Sequence, residues 1–126
     1  MAEQFGLGQI GQIAIVTRNT AAMTEFYRDK LGMKFLFTAG NMAFLMCGDV
    51  RIMLSPPEKP EHDHPASILY FKVPNIQVAH QALVARGVKF EDQPHLIAKL
   101  PDHDLWMCFF RDPENNIFGL MCEVRS

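Results

Sequence analysis

The segment PHLIAKLPDHDLW carries several side chains that could take part in acid–base chemistry. It contains two histidines, His95 and His103. Asp102 and Asp104 lie on either side of His103, and Trp106 is the single tryptophan of the chain. A histidine beside carboxylates can act as a general base, because its pKa lies near neutral pH. Trp106 could stack on a ligand or belong to the core. The alternative is a polar hairpin loop whose turn is capped by the two aspartates and whose histidines are solvated.

A second group of possible ligands, EHDH, occupies residues 61–64. It lies within PPEKPEHDHPA, a stretch rich in proline and charge, which predicts a linker at about 56–66. A linker offers no rigid element to fix the geometry of a metal site. We therefore expect at most adventitious metal binding at this position.

Composition limits the classes of protein that the chain can represent. Its 126 residues, 48% hydrophobic and 21% charged, predict one globular domain over 1–126. The net charge of −2 argues against a nucleic-acid partner. Apolar runs are too short for a membrane span, and the first residues lack the features of a signal peptide. Cys47, Cys108 and Cys122 are odd in number and lack metal-type spacing, so we expect reduced, buried thiols in a cytoplasmic protein.

An internal repeat organises the elements that would position these side chains. LGMKF at 31–35 and RGVKF at 86–90 each follow a predicted helix. Each half has a strand, an asparagine N-cap, a helix and a glycine suited to a left-handed helix end. These parts are 10–17, Asn19, 20–30 and Gly32 in the first half, and 68–73, Asn75, 76–85 and Gly87 in the second. The predicted buried helix faces are Met23, Phe26, Tyr27 and Leu31, and then Val78, Leu83 and Val84.

Three strands are predicted after each helix. In the first half they cover 33–38, 42–47 and 50–55. In the second half the first of them covers 88–91 and extends toward 98, and the other two cover 105–111 and 116–124. The chain is therefore βαβββ, linker, βαβββ, with repeats at about 10–57 and 67–125. Two halves that each leave a sheet face uncovered would join to enclose a shared cavity. The alternative is an α+β sandwich with a filled core.

This arrangement resembles the vicinal oxygen chelate superfamily, which includes glyoxalase I, bleomycin-resistance proteins, extradiol dioxygenases and methylmalonyl-CoA epimerase. The resemblance is carried by FYRDKLGMKF at 26–35, the repeat RGVKF, and FRDPENN at 110–116. Asn115 stands where the last motif usually has glycine, and asparagine tolerates a left-handed conformation. The resemblance implies an α+β fold whose two βαβββ repeats form a curved, barrel-like sheet around a central cavity. It also implies a homodimer.

Metal-using members of that superfamily hold a divalent ion with one side chain from the first and last strand of each half. The resemblance carries these four positions onto Gln12, Met53, Ile68 and Gly119. Divalent ions prefer carboxylate, imidazole or carbonyl ligands, which the last three residues do not supply. We therefore expect no metal and no other cofactor at the usual site. This argues against the glyoxalase, dioxygenase and epimerase reactions, which need the metal as a Lewis acid. Gly119 would leave room above an apolar floor.

Strand alternation predicts which side chains line the cavity. Arg51 could hold a carboxylate or phosphate, or be a solvated strand-end residue. Tyr70 could donate a hydrogen bond to a ligand or be a half-buried aromatic, and His80 is expected on the surface. The predicted ligand-binding residues are Gln12, Arg51, Met53, Ile68, Tyr70, Trp106, Gly119 and Met121.

The sequence thus predicts a metal-free protein that binds a small apolar molecule bearing a carbonyl or anionic group. Sequestration of the ligand, as in bleomycin-resistance proteins, is one version. Bleomycin-resistance proteins typically bind their cationic drug in an acidic cleft. Bleomycin itself is not supported as a ligand here, because none of the residues predicted to face the cavity is acidic. The alternative is a lyase, isomerase or dioxygenase type of enzyme. It would work without metal through His95, His103 or Tyr70, or use a metal held elsewhere.

Overall fold

The computed structural model describes residues 5–125 and shows the predicted βαβββ order in both halves. The first half consists of β1 (Gln12–Val16), α1 (Thr20–Glu25) with a π-helical continuation (Phe26–Lys30), β2 (Lys34–Ala39), β3 (Met42–Cys47) and β4 (Val50–Ser55). The second half consists of β5 (Tyr70–Lys72), α2 (Ile76–Ala85), β6 (His95–Lys99), β7 (Asp104–Arg111) and β8 (Ile117–Val124). A short 3-10 turn (Pro60–His62) lies in the predicted linker.

Each half forms one four-stranded sheet, with strand orders β1-β4-β3-β2 and β5-β8-β7-β6. The first strand of each half runs parallel to the last, and the other pairs are antiparallel. The α+β class and the two-repeat architecture are therefore confirmed. Strand pairing among residues 5–125 stays within each half, so the sheets are not closed into one barrel. No helix in this part of the chain is long and apolar enough to cross a membrane.

The two sheets and two helices share one apolar core. Alternate strand residues supply it, including Ile52 and Leu54 from β4 and Phe118 and Leu120 from β8. Tyr27 connects the halves, because its ring lies edge-on to that of Phe118 with centroids 6.3 Å apart. The opposite face of each sheet is left without a covering helix. We call these the first open face, on the β1–β4 sheet, and the second open face, on the β5–β8 sheet.

The helix ends follow the sequence prediction. Asn19 and Asn75 accept hydrogen bonds from the amides of Ala22 and Val78, as N-caps do. Gly32 and Gly87 have φ angles of +78° and +89°, the left-handed conformation expected after a helix. The first helix does not stay α-helical to residue 30, since it widens into a π-turn from Phe26 onward.

The buried face of α2 differs from the predicted one. Val78 and Val84 are exposed, whereas Ile76, His80 and Leu83 are buried on one stripe. The expected surface position of His80 is therefore wrong, because its spacing of four and three from Ile76 and Leu83 places it on the core side. Its ring lies 4.4 Å from that of Phe90, centroid to centroid.

A buried carboxylate fixes the turn before β8. Asp112 accepts hydrogen bonds from the Tyr27 hydroxyl at 2.8 Å, from the Glu114 amide at 3.0 Å, and from the Asn116 amide and side chain at 2.9 and 2.8 Å. Burial, followed by the charge of Asp112, raises the pKa of the Tyr27 phenol, which therefore stays a hydrogen-bond donor. Asn115 has a φ of +70°, as predicted for this turn.

Candidate functional site

A polar pair lies on the first open face. Gln12 and Arg51 are opposite each other on β1 and β4, so their side chains share a side of the sheet. Arg51 Nε donates to Gln12 Oε1 at 2.6 Å, and Gln12 Nε2 lies 3.7 Å from the sulfur of Met53. Gln12 and Arg51 are both exposed, so the pair is accessible from solution.

Aromatic side chains form a platform beneath this pair. Phe44 pairs with Met53 across β3 and β4, and Phe37 pairs with Phe44 across β2 and β3. The Phe37 and Phe44 rings stack with centroids 4.6 Å apart, and the Arg51 guanidinium carbon lies 5.5 Å from the Phe44 centroid. A guanidinium held over an aromatic ring is attracted to its face. Neither phenylalanine was predicted as a site residue, although the pairing of Phe44 with Met53 across β3 and β4 puts Phe44 on this face.

The resulting surface suits an anion with an apolar body. The Nε atom of Arg51 donates to Gln12. The two terminal nitrogens of the same planar guanidinium are the donors that would bind a carboxylate or phosphate. Gln12 fixes the guanidinium in one orientation, which reduces the entropy that a ligand would otherwise have to overcome. Met53 and the stacked phenylalanines offer adaptable apolar contact beside it.

The expected space above Gly119 does not exist on the second open face. A Cβ atom built at Gly119 would lie 2.8 Å from Tyr70 Cδ2 and 3.1 Å from Phe109 Cε1. Gly119 pairs with Tyr70 on β5 and with Phe109 on β7, and these two rings meet edge to face at 5.8 Å. The glycine is therefore needed for the close approach of two aromatic rings rather than for an empty pocket.

At equivalent positions of the two sheets, the large side chain comes from the last strand in the first half and from the first strand in the second half. The position of Tyr70 and Gly119 in the second half is taken in the first half by Ala14 and Met53, which also pair across parallel strands. In the first half the small residue Ala14 lies beside the large residue Met53. In the second half the large residue Tyr70 lies beside Gly119, which has no side chain. The side chain of Tyr70 thus fills the volume that a side chain at 119 would need.

The residues at the four positions carried over by the resemblance do not fit a divalent metal. Gly119 has no side chain, and the space over it is filled by Tyr70. The oxygen of Gln12 already accepts from a cationic guanidinium, which would repel a metal ion. Ile68 is apolar, and Met53 is a soft, neutral ligand. Within residues 5–125, no three His, Cys, Asp or Glu side chains are grouped so that they could hold a metal ion.

The other predicted residues are divided between the two sides of the second sheet. His95, Met107 and Met121 form one cross-strand row on the second open face, and Ile68 is half exposed just before β5. Trp106 is opposite the buried Cys122 and packs against the core. Its position on β7 directs the ring away from the open face, which agrees with the core alternative for Trp106.

His103 belongs to a polar network at the β6–β7 turn. Its Nδ1 lies 2.8 Å from Asp102 Oδ1, and Arg125 donates to the other oxygen of Asp102 at 2.9 Å. The hydrogen bond from Arg125, and to a smaller extent that from His103, holds the pKa of Asp102 below its usual range. The network lies in a polar hairpin turn, as the alternative expects, but the His103 side chain is only 13% exposed and is therefore not solvated. His103 lies in a turn of the second half, whereas the Gln12–Arg51 pair lies on the sheet of the first half.

The fold and the repeat define a class of protein built from paired βαβββ units. The sequence profile of the Glyoxalase/Bleomycin resistance protein/Dioxygenase superfamily matches residues 9–120. The chain belongs to this superfamily.

Individual relatives are distant. The protein YraH of Bacillus subtilis is 27% identical over 126 aligned residues, which cover 86% of this chain and 94% of that protein. A virulence protein of Salmonella typhimurium, STM3117, superposes with a TM-score of 0.79 at 19% identity, covering 95% of this chain and all of its own. A superfamily member from Sphaerobacter thermophilus gives a TM-score of 0.77 at 19% identity, covering 93% and 98%. At such identities the structural likeness shows the fold alone.

Proposed function

We propose that this protein binds a small organic anion on the first open face, without a metal ion. The observation that carries the proposal is the Gln12–Arg51 hydrogen bond, which sets a guanidinium over the Phe44 ring at the edge of an apolar platform. The ligand class that fits is a planar or apolar body bearing a carboxylate or phosphate group. Sequestration or transport of such a molecule needs no reacting group in the site.

The first test is a binding comparison at Arg51. We expect phenylacetate, benzoate or phenyl phosphate to raise the unfolding temperature in a saturable way, while the neutral amide phenylacetamide does not. The substitution Arg51→Met should weaken binding about tenfold or more, because a hydrogen bond to a charged group is lost. Isothermal titration calorimetry on the dialysed full chain gives the dissociation constants.

Arg28→Met is the matched control, since Arg28 is an exposed arginine paired with its neighbour Asp29. It should bind as the unsubstituted protein does. Unchanged affinity in Arg51→Met, or no saturable binding of any of the anions, would contradict the proposal.

We propose further that two copies of the chain pair through the open faces as a homodimer and enclose the ligand between them. Phe37, Ile68 and Tyr70 on or beside these faces are each exposed by nearly half, and Phe5 and Leu7 of the N-terminal segment are almost fully exposed. Exposed large apolar side chains on uncovered sheet faces are typical of protein–protein contacts. A second copy of this chain, which presents the same surfaces, is the partner we infer.

Light scattering coupled to size-exclusion chromatography tests this assembly. We expect twice the mass of the 14.3 kDa chain. Ile68→Asp should shift the protein toward monomer, because it buries a charge in the interface. Val78→Asp, at a somewhat more exposed apolar position on the outside of α2, should leave the mass unchanged. A monomeric unsubstituted protein, or equal effects of the two substitutions, would rule out this interface.

A further inference from the structure

A cavity of about 380 Å³ lies at the seam between the two halves, on the core side of both sheets. The first half contributes the end of its helix and the β3–β4 turn, and the second half contributes α2, β5, β7 and β8. Apolar side chains make most of the wall, among them Met33, Cys47, Phe71, Leu83 and Leu120. A volume of this size is in the range that holds a small organic molecule.

One charged side chain stands at this cavity. Arg86 follows α2 and is the only charged residue among those that line the space, so no carboxylate of the lining competes for it. One of its terminal nitrogens donates to the backbone oxygen of Lys30 at 2.9 Å. The same nitrogen lies 3.6 Å from where a Cβ would stand on Gly32. The guanidinium is thereby held across the seam, next to the mouth of the cavity, with its remaining nitrogens available to a ligand.

We propose that the seam cavity is a second ligand site, distinct from the Gln12–Arg51 pair, which binds a small aliphatic carboxylate. The aliphatic chain would displace water from the apolar walls, which is favourable in proportion to the area covered. The carboxylate would bond the exposed edge of the Arg86 guanidinium, whose planar donors match its two oxygens. Since both halves form the walls, occupancy would also stabilise their association.

Cys47 gives a direct reporter of occupancy. Its thiol lines the cavity and is partly exposed, whereas Cys108 and Cys122 are buried in the core. Burial raises the pKa of Cys47, so its alkylation is best followed at about pH 8.5, where more thiolate is present. A ligand seated in the cavity should block the reagent. Cys47→Ser should abolish labelling of the folded protein and so identify the reacting thiol.

The experiment measures the rate of iodoacetamide labelling of the full chain against increasing octanoate, with 1-octanol as the uncharged match. We expect octanoate to slow labelling in a saturable way, and octanol to do so only at concentrations about tenfold higher or more. Arg86→Gln should raise the half-protecting concentration of octanoate by a similar factor. Lys89→Gln, at an exposed lysine three residues further along the chain, should not change it.

Several outcomes would overturn the proposal. Equal protection by octanoate and octanol would show that Arg86 does not bind the carboxylate, and absence of protection would show that the cavity takes neither. Arg86→Gln could lower stability because it removes the hydrogen bond to Lys30. Arg86→Lys is therefore measured as well: it keeps the positive charge, and octanoate must recover part of its protection of Cys47 in this variant. Arg51→Met must leave the protection of Cys47 unchanged, since otherwise octanoate acts at the first open face.

Discussion

Replacement of Asp112 with alanine is expected to lower the free energy of unfolding by about 3 kcal/mol or more, because it leaves several buried donors without an acceptor. The Asp112 carboxylate is buried and accepts four hydrogen bonds, from Tyr27, from the Glu114 amide and twice from Asn116. The Tyr27 bond joins the first half to the turn before β8. Its loss should therefore weaken the association of the halves as well as the turn.

Urea denaturation of the variant and of two comparison proteins measures this effect. Tyr27→Phe removes one of the four donors and should cost about 1 kcal/mol. Asp49→Ala changes an exposed carboxylate in the β3–β4 turn and should have little effect. If Asp112→Ala cost no more than Tyr27→Phe, the carboxylate would not be the centre of this network.

The second large effect is expected at Gly119. The substitution Gly119→Ala should destabilise the protein by about 1–3 kcal/mol, the usual cost of overpacking. The added methyl group would lie 2.8 Å from the Tyr70 ring and 3.1 Å from that of Phe109, so at least one ring must move. Backbone strain is not the cause, because the glycines with positive φ are at other positions.

A double-mutant cycle with Tyr70→Leu isolates the contact. Leucine removes the ring atoms that the new methyl group would meet, so Gly119→Ala should cost little in that background. Unfolding free energies of the four proteins give the coupling. An equal cost of Gly119→Ala with and without the Tyr70 ring would show that the close approach is not what requires glycine.

Features set by local chemistry could be predicted from the sequence. The asparagine caps of both helices, the left-handed glycines after them and the left-handed Asn115 each depend on a few neighbouring residues. The repeat of these signals gave the βαβββ order of both halves. Alternation along β4 likewise placed Arg51 and Met53 on the side opposite the buried Ile52 and Leu54.

Features set by contacts between distant segments could not be predicted in this way. The burial of His80 follows its spacing from Ile76 and Leu83, but the ring that packs against it, Phe90, comes from a segment after α2. The side of β7 on which Trp106 lies depends on its register with Cys122. The ring that fills the space over Gly119 comes from Tyr70, 49 positions earlier in the chain and on a different strand. Spacing along one element indicates which side a residue faces, but it does not identify the residue of another element that it meets.

The most direct test of the central claim is the metal content of the purified, extensively dialysed full chain, together with its unfolding temperature in Mg²⁺, Mn²⁺, Ni²⁺ and Zn²⁺. The donor set at Gln12, Met53, Ile68 and Gly119 predicts substoichiometric metal and no shift that depends on Gln12. A variant lacking His62 and His64 removes adventitious binding by the linker. One equivalent of retained metal that disappears with Gln12→Ala, but survives loss of the linker histidines, would contradict the account.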